Sequence, residues 1–144
     1  MGKLIEVQGK MNARQYCQVL EDGMEESFEK LEMEEDEHYF QQDNDPKHTS
    51  KQAAQWFGDN NVQVLEWPAQ SPDLNPIEHI WHHLKSQCQQ YDTPPKGVHQ
   101  LWKRVEKEWK FFYQRYVCQN LIESIPRRIQ AVIKANGIIA STRL

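Results

Sequence analysis

Gln41-Gln42-Asp43-Asn44-Asp45-Pro46-Lys47-His48 and, further along, Trp67-Pro68-Ala69-Gln70-Ser71-Pro72-Asp73-Leu74-Asn75-Pro76-Ile77-Glu78 are the two stretches whose reading decides the fold. The first continues from His38-Tyr39-Phe40 and reads as a strand ending in the carboxylate Asp43, with Asn44-Asp45-Pro46 as the turn beyond it. The second continues Val62-Gln63-Val64-Leu65-Glu66, a further strand, into a proline-punctuated segment from Pro68 to Pro76 that cannot be regular structure. Asn75 is a good N-cap and Pro76 a good first residue for the helix that follows. Between the two strands, Thr49 or Ser50 can cap a helix that carries Ala53, Ala54, Trp56 and Phe57 toward a core and stops near Gly58.

Upstream, Lys3-Leu4-Ile5-Glu6-Val7-Gln8 alternates imperfectly and reads as a short strand. After Gly9 a helix is predicted over Ala13–Leu31, where Tyr16, Val19, Leu20, Met24, Phe28 and Leu31 recur at helical spacing. Glu32 to Glu37 is almost wholly acidic and suits a solvated connection. Downstream of Glu78, the residues Ile77, Ile80, Trp81, Leu84 and Cys88 form one apolar stripe. Beyond Tyr91-Asp92-Thr93-Pro94-Pro95 the pattern is helical from Val98 to about Tyr113, breaks, and resumes from Ile125 to Asn136 with Gly137 as the stop. The chain thus reads as one domain over 1–144, with a strand and helix part over 1–90 and a helical, basic part over 94–144.

With 144 residues, 38% of them hydrophobic and 26% charged, the chain suits one compact core. No apolar run approaches the roughly 20 residues of a membrane helix, and Met1-Gly2-Lys3 opens no signal peptide, so neither a membrane partner nor export is expected. Cys17, Cys88 and Cys118 lie far apart without a CxxC pair, which points away from a disulfide framework or zinc knuckle and toward a reducing compartment. The net charge of −4 conceals an asymmetry: residues 1–45 carry 13 acids and 4 bases, residues 94–144 carry 10 bases and 3 acids. A nucleic-acid partner would approach the basic end, although two solvated helix faces would give the same counts.

The chemistry sits in Asp43 at a strand end and Glu78 at a helix start, with 34 residues between them. In open α/β sheets, the ends of strands and the helix starts beyond them line the ligand crevice. Magnesium is held by a few carboxylates with water and phosphate oxygens, and two such ions can serve the attacking and leaving oxygens of a phosphodiester. Each acid has a plainer reading: Asp43 can close an Asx turn, and Asn75-x-x-Glu78 can be a capping box. His48 can contact a phosphate or pack on the sheet, and Asp73 can fix its loop by bonding its own backbone. His79, His82 and His83 are not in the order of a zinc protease and lack a distant third ligand. Trp102, Trp109, Phe111, Phe112 and Tyr113 interleave with Lys103, Arg104, Lys107 and Lys110; helical spacing favours a core stripe with a basic outer face over a stacking and phosphate-binding surface.

The two quoted stretches, in this order and at this spacing, resemble the paired signature of the mariner superfamily of DDE transposases. Gly9-Lys10-Met11-Asn12 with Tyr16 and Leu20, and Ser124-Ile125-Pro126-Arg127-Arg128 through Gly137, resemble that family's flanking elements. The resemblance implies a ribonuclease H-like α/β fold in which three acids hold two magnesium (or manganese) ions that cut DNA at a transposon end and join it to a target. Asp43 and Glu78 match the second and third acids, with Asn44, His48, Asp73 and Asn75 in supporting places. The family's first acid lies on a strand upstream of the segment resembling Met1 to Gln8, so the expectation is an N-terminally truncated fold without its first two strands and with weakened metal binding. The unpaired strand edges then invite a second copy or a related transposase chain. Two functional classes follow: part of a metal-dependent DNA-cutting and DNA-joining enzyme, or a catalytically inactive module that binds DNA or transposase. Family resemblance places either in the nucleus.

Overall fold

The computed structural model describes residues 2–31, 38–68, 71–72, 74–114 and 117–136. The acidic run Glu32 to Glu37, Asp73 and Gly137 lie outside the described residues. The chain divides into two compact units, residues 1–69 and 70–144.

Helix α1 (Ala13–Leu31) begins in a capping box, because Asn12 Oδ1 accepts from Gln15 N at 2.9 Å while Gln15 Oε1 accepts from Asn12 N at 3.0 Å. Its residues Tyr16, Cys17 and Leu20 recur at helical spacing and are buried against Ala53 and Phe57 of helix α2 (Lys51–Asp59), with Met11, Met24, Phe40, Trp56 and Val62 around them. Ser50 caps α2 by accepting from Ala53 N at 3.1 Å. The helix stops in a Schellman motif: Asn61 takes φ 54°, its N–H donates to Gly58 O at 3.3 Å, and Val62 N donates to Phe57 O at 2.9 Å. Asn61, rather than Gly58, therefore makes the turn out of the helix. Trp56 Nε1 donates to Glu21 Oε2 at 3.1 Å and ties α2 to α1.

Strand β1 (Tyr39–Phe40) pairs in parallel with β2 (Gln63–Val64), so β1, α2 and β2 form a βαβ crossover, and Leu65 N donates to Phe40 O at 2.9 Å to prolong the pairing. Both strands are shorter than the sequence predicts, since among the described residues each has only the other as a partner. The strand predicted over residues 3–8 is absent for the same reason. That segment lies instead along α1, where Lys3 N donates to Ser27 Oγ at 3.1 Å and Lys3 Nζ donates to Asp22 O at 3.0 Å. Ile5 comes close to α1 at Gly23, where a Cβ would stand 2.8 Å from Ile5 Cδ1 and displace the end of that side chain.

In the second unit, helix α3 (Pro76–Gln89) buries Ile80 and Leu84 and lies against helix α4 (Val98–Gln114), where Trp81 stacks on Trp109 at 6.1 Å. Arg104 is buried but satisfied. Its Nη1 donates to Thr93 O at 2.7 Å and its guanidinium lies 4.5 Å from the centre of the Tyr91 ring, while Tyr91 Oη donates to Glu108 Oε1 at 2.7 Å. Helix α5 (Val117–Glu123) falls where the sequence suggested only a break; its one buried residue, Leu121, recurs with Val117 over too few turns to register as a period. Helix α6 (Ile125–Lys134) follows, with Arg128 buried and donating to Leu121 O at 3.3 Å. No helix among the described residues is long and apolar enough to cross a membrane.

Glu26 receives hydrogen bonds from Lys3 and Lys30, which hold its carboxyl down to about 2. A carboxyl lowered by folding contributes its share of stability above the unfolded value of 4.5, and loses it as pH falls toward 2. Amide exchange at Lys3 should therefore accelerate between pH 4.5 and 2 beyond the intrinsic trend. Glu26→Gln should remove that extra dependence; an unchanged profile would contradict the tether.

Candidate metal centre

Asp43 stands just beyond β1, where the chain turns toward α2. Its Oδ1 accepts from Asp45 N at 3.2 Å, an Asx turn, and lies 2.6 Å from His48 Nδ1. The turn closes on itself: Asp45 O accepts from His48 N at 2.9 Å and Thr49 N at 3.1 Å, and Asp45 Oδ1 accepts from Lys47 N at 3.0 Å. Hydrogen bonds from Lys47 keep the Asp45 carboxyl below the usual range, so this acid is occupied by its own turn. Asn44 Nδ2 donates to Trp67 O at 3.0 Å, which ties the turn to the chain leaving β2.

Behind the turn stands Tyr16 of α1. Its hydroxyl donates to Gln42 Oε1 at 2.5 Å, Gln42 Nε2 donates to His48 O at 3.4 Å, and the Tyr16 and His48 rings lie 4.2 Å apart. Burial, and after it the charge of Asp43, pushes the Tyr16 phenol well above its ordinary value, so it stays a neutral donor. His48 is thereby held between a ring and a carboxylate, with its side chain 19% exposed, whereas that of Asp43 is 56% exposed. One carboxylate oxygen of Asp43 is anchored and the other has no partner among the described residues. The Asx turn does not compete with a ligand role; it orients the group.

Glu78 is the third residue of α3, in its first turn, and is exposed. Asn75 caps the helix with its own side chain, accepting from Ile77 N at 3.2 Å. Among the described residues no hydrogen bond runs from the Asn75 amide to the Glu78 carboxylate, so the reciprocal half of a capping box is not made. The helix N-terminus favours a negative charge at this position without engaging either oxygen. The structure thus places Asp43, Asn44 and His48 together in the first unit, and Asn75 and Glu78 in the second. Both free carboxylates offer hard oxygen donors of the kind magnesium and manganese take. Among the described residues no three His, Cys, Asp or Glu side chains gather into a metal-binding group.

Sequence reasoning took Tyr16 for a core residue and Gln42 for a flank, and missed that they brace His48. The available signal was a tyrosine on an apolar helix face, whose hydroxyl must find a partner when buried. Tyr16→Phe should keep the ring contact, lose the bond to Gln42, and lower unfolding stability in urea by about 1 kcal/mol. Tyr16→Leu should cost more and also shift the His48 ring resonances; equal spectra for the two variants would refute the brace.

Residues 3–101 match the family described as DDE superfamily endonuclease. The Tcb1 transposase of Caenorhabditis briggsae is 49% identical over 98 residues, covering 68% of this chain and 35% of that protein. The Tc3 transposase of Caenorhabditis elegans is 31% identical over 131 residues, covering 91% of this chain and 39% of that protein. The chain therefore spans little more than a third of the length of these relatives. Among solved structures, the catalytic domain of Mos1 mariner transposase superposes with a TM-score of 0.75 at 22% identity, covering 94% of this chain and 67% of that domain. The same domain solved with manganese gives the same TM-score, identity and share of this chain, and 68% of that one. A Mos1 paired-end complex with the left transposon end gives 0.74 at 21%, over 96% of this chain and 40% of that one. The likeness establishes a ribonuclease H-like α/β fold, of which this chain covers part.

Proposed function

Because the chain belongs to the DDE superfamily of endonucleases, we propose that its part of a Tc1/mariner transposase catalytic domain serves metal-dependent cutting and joining of DNA, with Asp43 and Glu78 as ligands for magnesium or manganese. The observation that carries this reading is the state of Asp43: an exposed carboxylate three residues beyond β1, oriented through one oxygen by His48 and the Asp45 amide and open at the other. When bound, divalent ions supply activation of an attacking oxygen and stabilisation of a leaving oxygen at a phosphodiester. Asp43 and Glu78 would hold them, Asn44 would fix the turn that carries the first, and Asn75 would fix the helix end that carries the second.

The partner is DNA, and the compartment that supplies it is the nucleus. The outer edges of the β1–β2 pair have no neighbour among the described residues, so a second copy or a related transposase chain is the partner that would extend the sheet.

Nicking of supercoiled plasmid in manganese or magnesium tests the proposal. The expected result is metal-dependent nicking by a species sedimenting above monomer mass, reduced to background by Asp43→Ala and by Glu78→Ala. Salt-sensitive DNA binding without nicking would make the chain a binding module instead.

A further inference from the structure

Helix α4 turns Phe112 inward, with Val105, Glu108 and Trp109 partly covered beside it, and carries Lys103, Lys107 and Lys110 exposed. At 100° per residue, the three lysines fall within about 60° of one another on the side opposite Phe112. Exposed Lys96 and His99 continue the same stripe toward the helix start. Few negative charges oppose it. Glu108 accepts from the Tyr91 hydroxyl, and Glu106, at the stripe's margin, is partly buried. Among the described residues, none of the three lysines forms an ion pair, whereas in the first unit Lys3, Lys30 and Lys47 each pair with an acid.

We infer that Lys103, Lys107 and Lys110 form a phosphate-tracking stripe that docks α4 along the backbone of duplex DNA; this rests on the proposed action on DNA. From Lys103 to Lys110 the helix rises about 10 Å, the length over which one strand of a duplex presents about three phosphates. Of the aromatic neighbours, Trp109 stacks on Trp81 and Phe112 is buried, so neither is placed to stack on a base, and the lysines meet the backbone. Its binding is accordingly indifferent to sequence. Lys107 Nζ also lies 5.6 Å from the Tyr91 ring centre, which holds one member of the stripe in place.

The test measures binding of the full chain to a duplex of arbitrary sequence across a salt series. Lys103→Gln, Lys107→Gln and Lys110→Gln combined should leave the thermal melt unchanged and make the slope of log K against log salt shallower by about 2.7, at about 0.9 per phosphate contact. Lys30→Gln on α1 should leave the slope as it is. Duplex binding with an unaltered slope in the triple variant overturns the stripe and spares the DNA reading. Absence of duplex binding by the parent chain at low salt overturns both. Loss in the triple variant of binding to anionic phospholipid vesicles, with duplex binding retained, overturns the assignment to DNA.

Discussion

Tyr16 is 7% exposed, in the contact between α1 and α2, and its hydroxyl sits where an unmet hydrogen bond would be costly. Gln42 meets that demand, and in doing so fixes the residue immediately before Asp43. The same ring supports His48, whose Nδ1 meets the carboxylate of Asp43. One buried side chain therefore links the packing of the first unit to the direction in which Asp43 points. The βαβ crossover brings the turn to this place, but two residue pairs of parallel strand are too few to hold it. The helix contact beneath them does so.

The second acid is positioned by different means. Glu78 owes its place to the cap and proline that start α3, and α3 in turn is fixed by Ile80, Leu84 and the Trp81–Trp109 stack on α4. The buried Arg104 joins α4 to the loop at Thr93, so a cation that would be costly in an apolar setting is satisfied by a carbonyl and a ring. Charge is divided along the chain in the same way: acids concentrate in the first 45 residues, whereas the last 51 are basic.

Helices were largely legible in the sequence because their signals are local. Apolar recurrence set α1, Ser50 and Asn75 marked the starts of α2 and α3, and all three helices fall where those residues put them. Strands were not, because a strand's length depends on neighbours that no local pattern names. Residues 3–8 alternate like a strand yet lie along a helix, and β1 and β2 keep two residues each. The words around Asp43 and Glu78 placed the first past a strand and the second in the first turn of a helix, and both stand there. The brace was not, since Tyr16 and Gln42 are 26 residues apart and nothing in either position announces the other.

Asp43 and Glu78 are the proposed metal ligands. Iron(II) placed in a magnesium site cuts the polypeptide wherever the backbone approaches the ion, when peroxide and ascorbate are supplied. Cleavage near residues 43 and 78 together, competed by magnesium and lost at both places in either Asp43→Asn or Glu78→Gln, is the predicted result. Cleavage near only one of them, or at both with each variant affecting its own position alone, would contradict it.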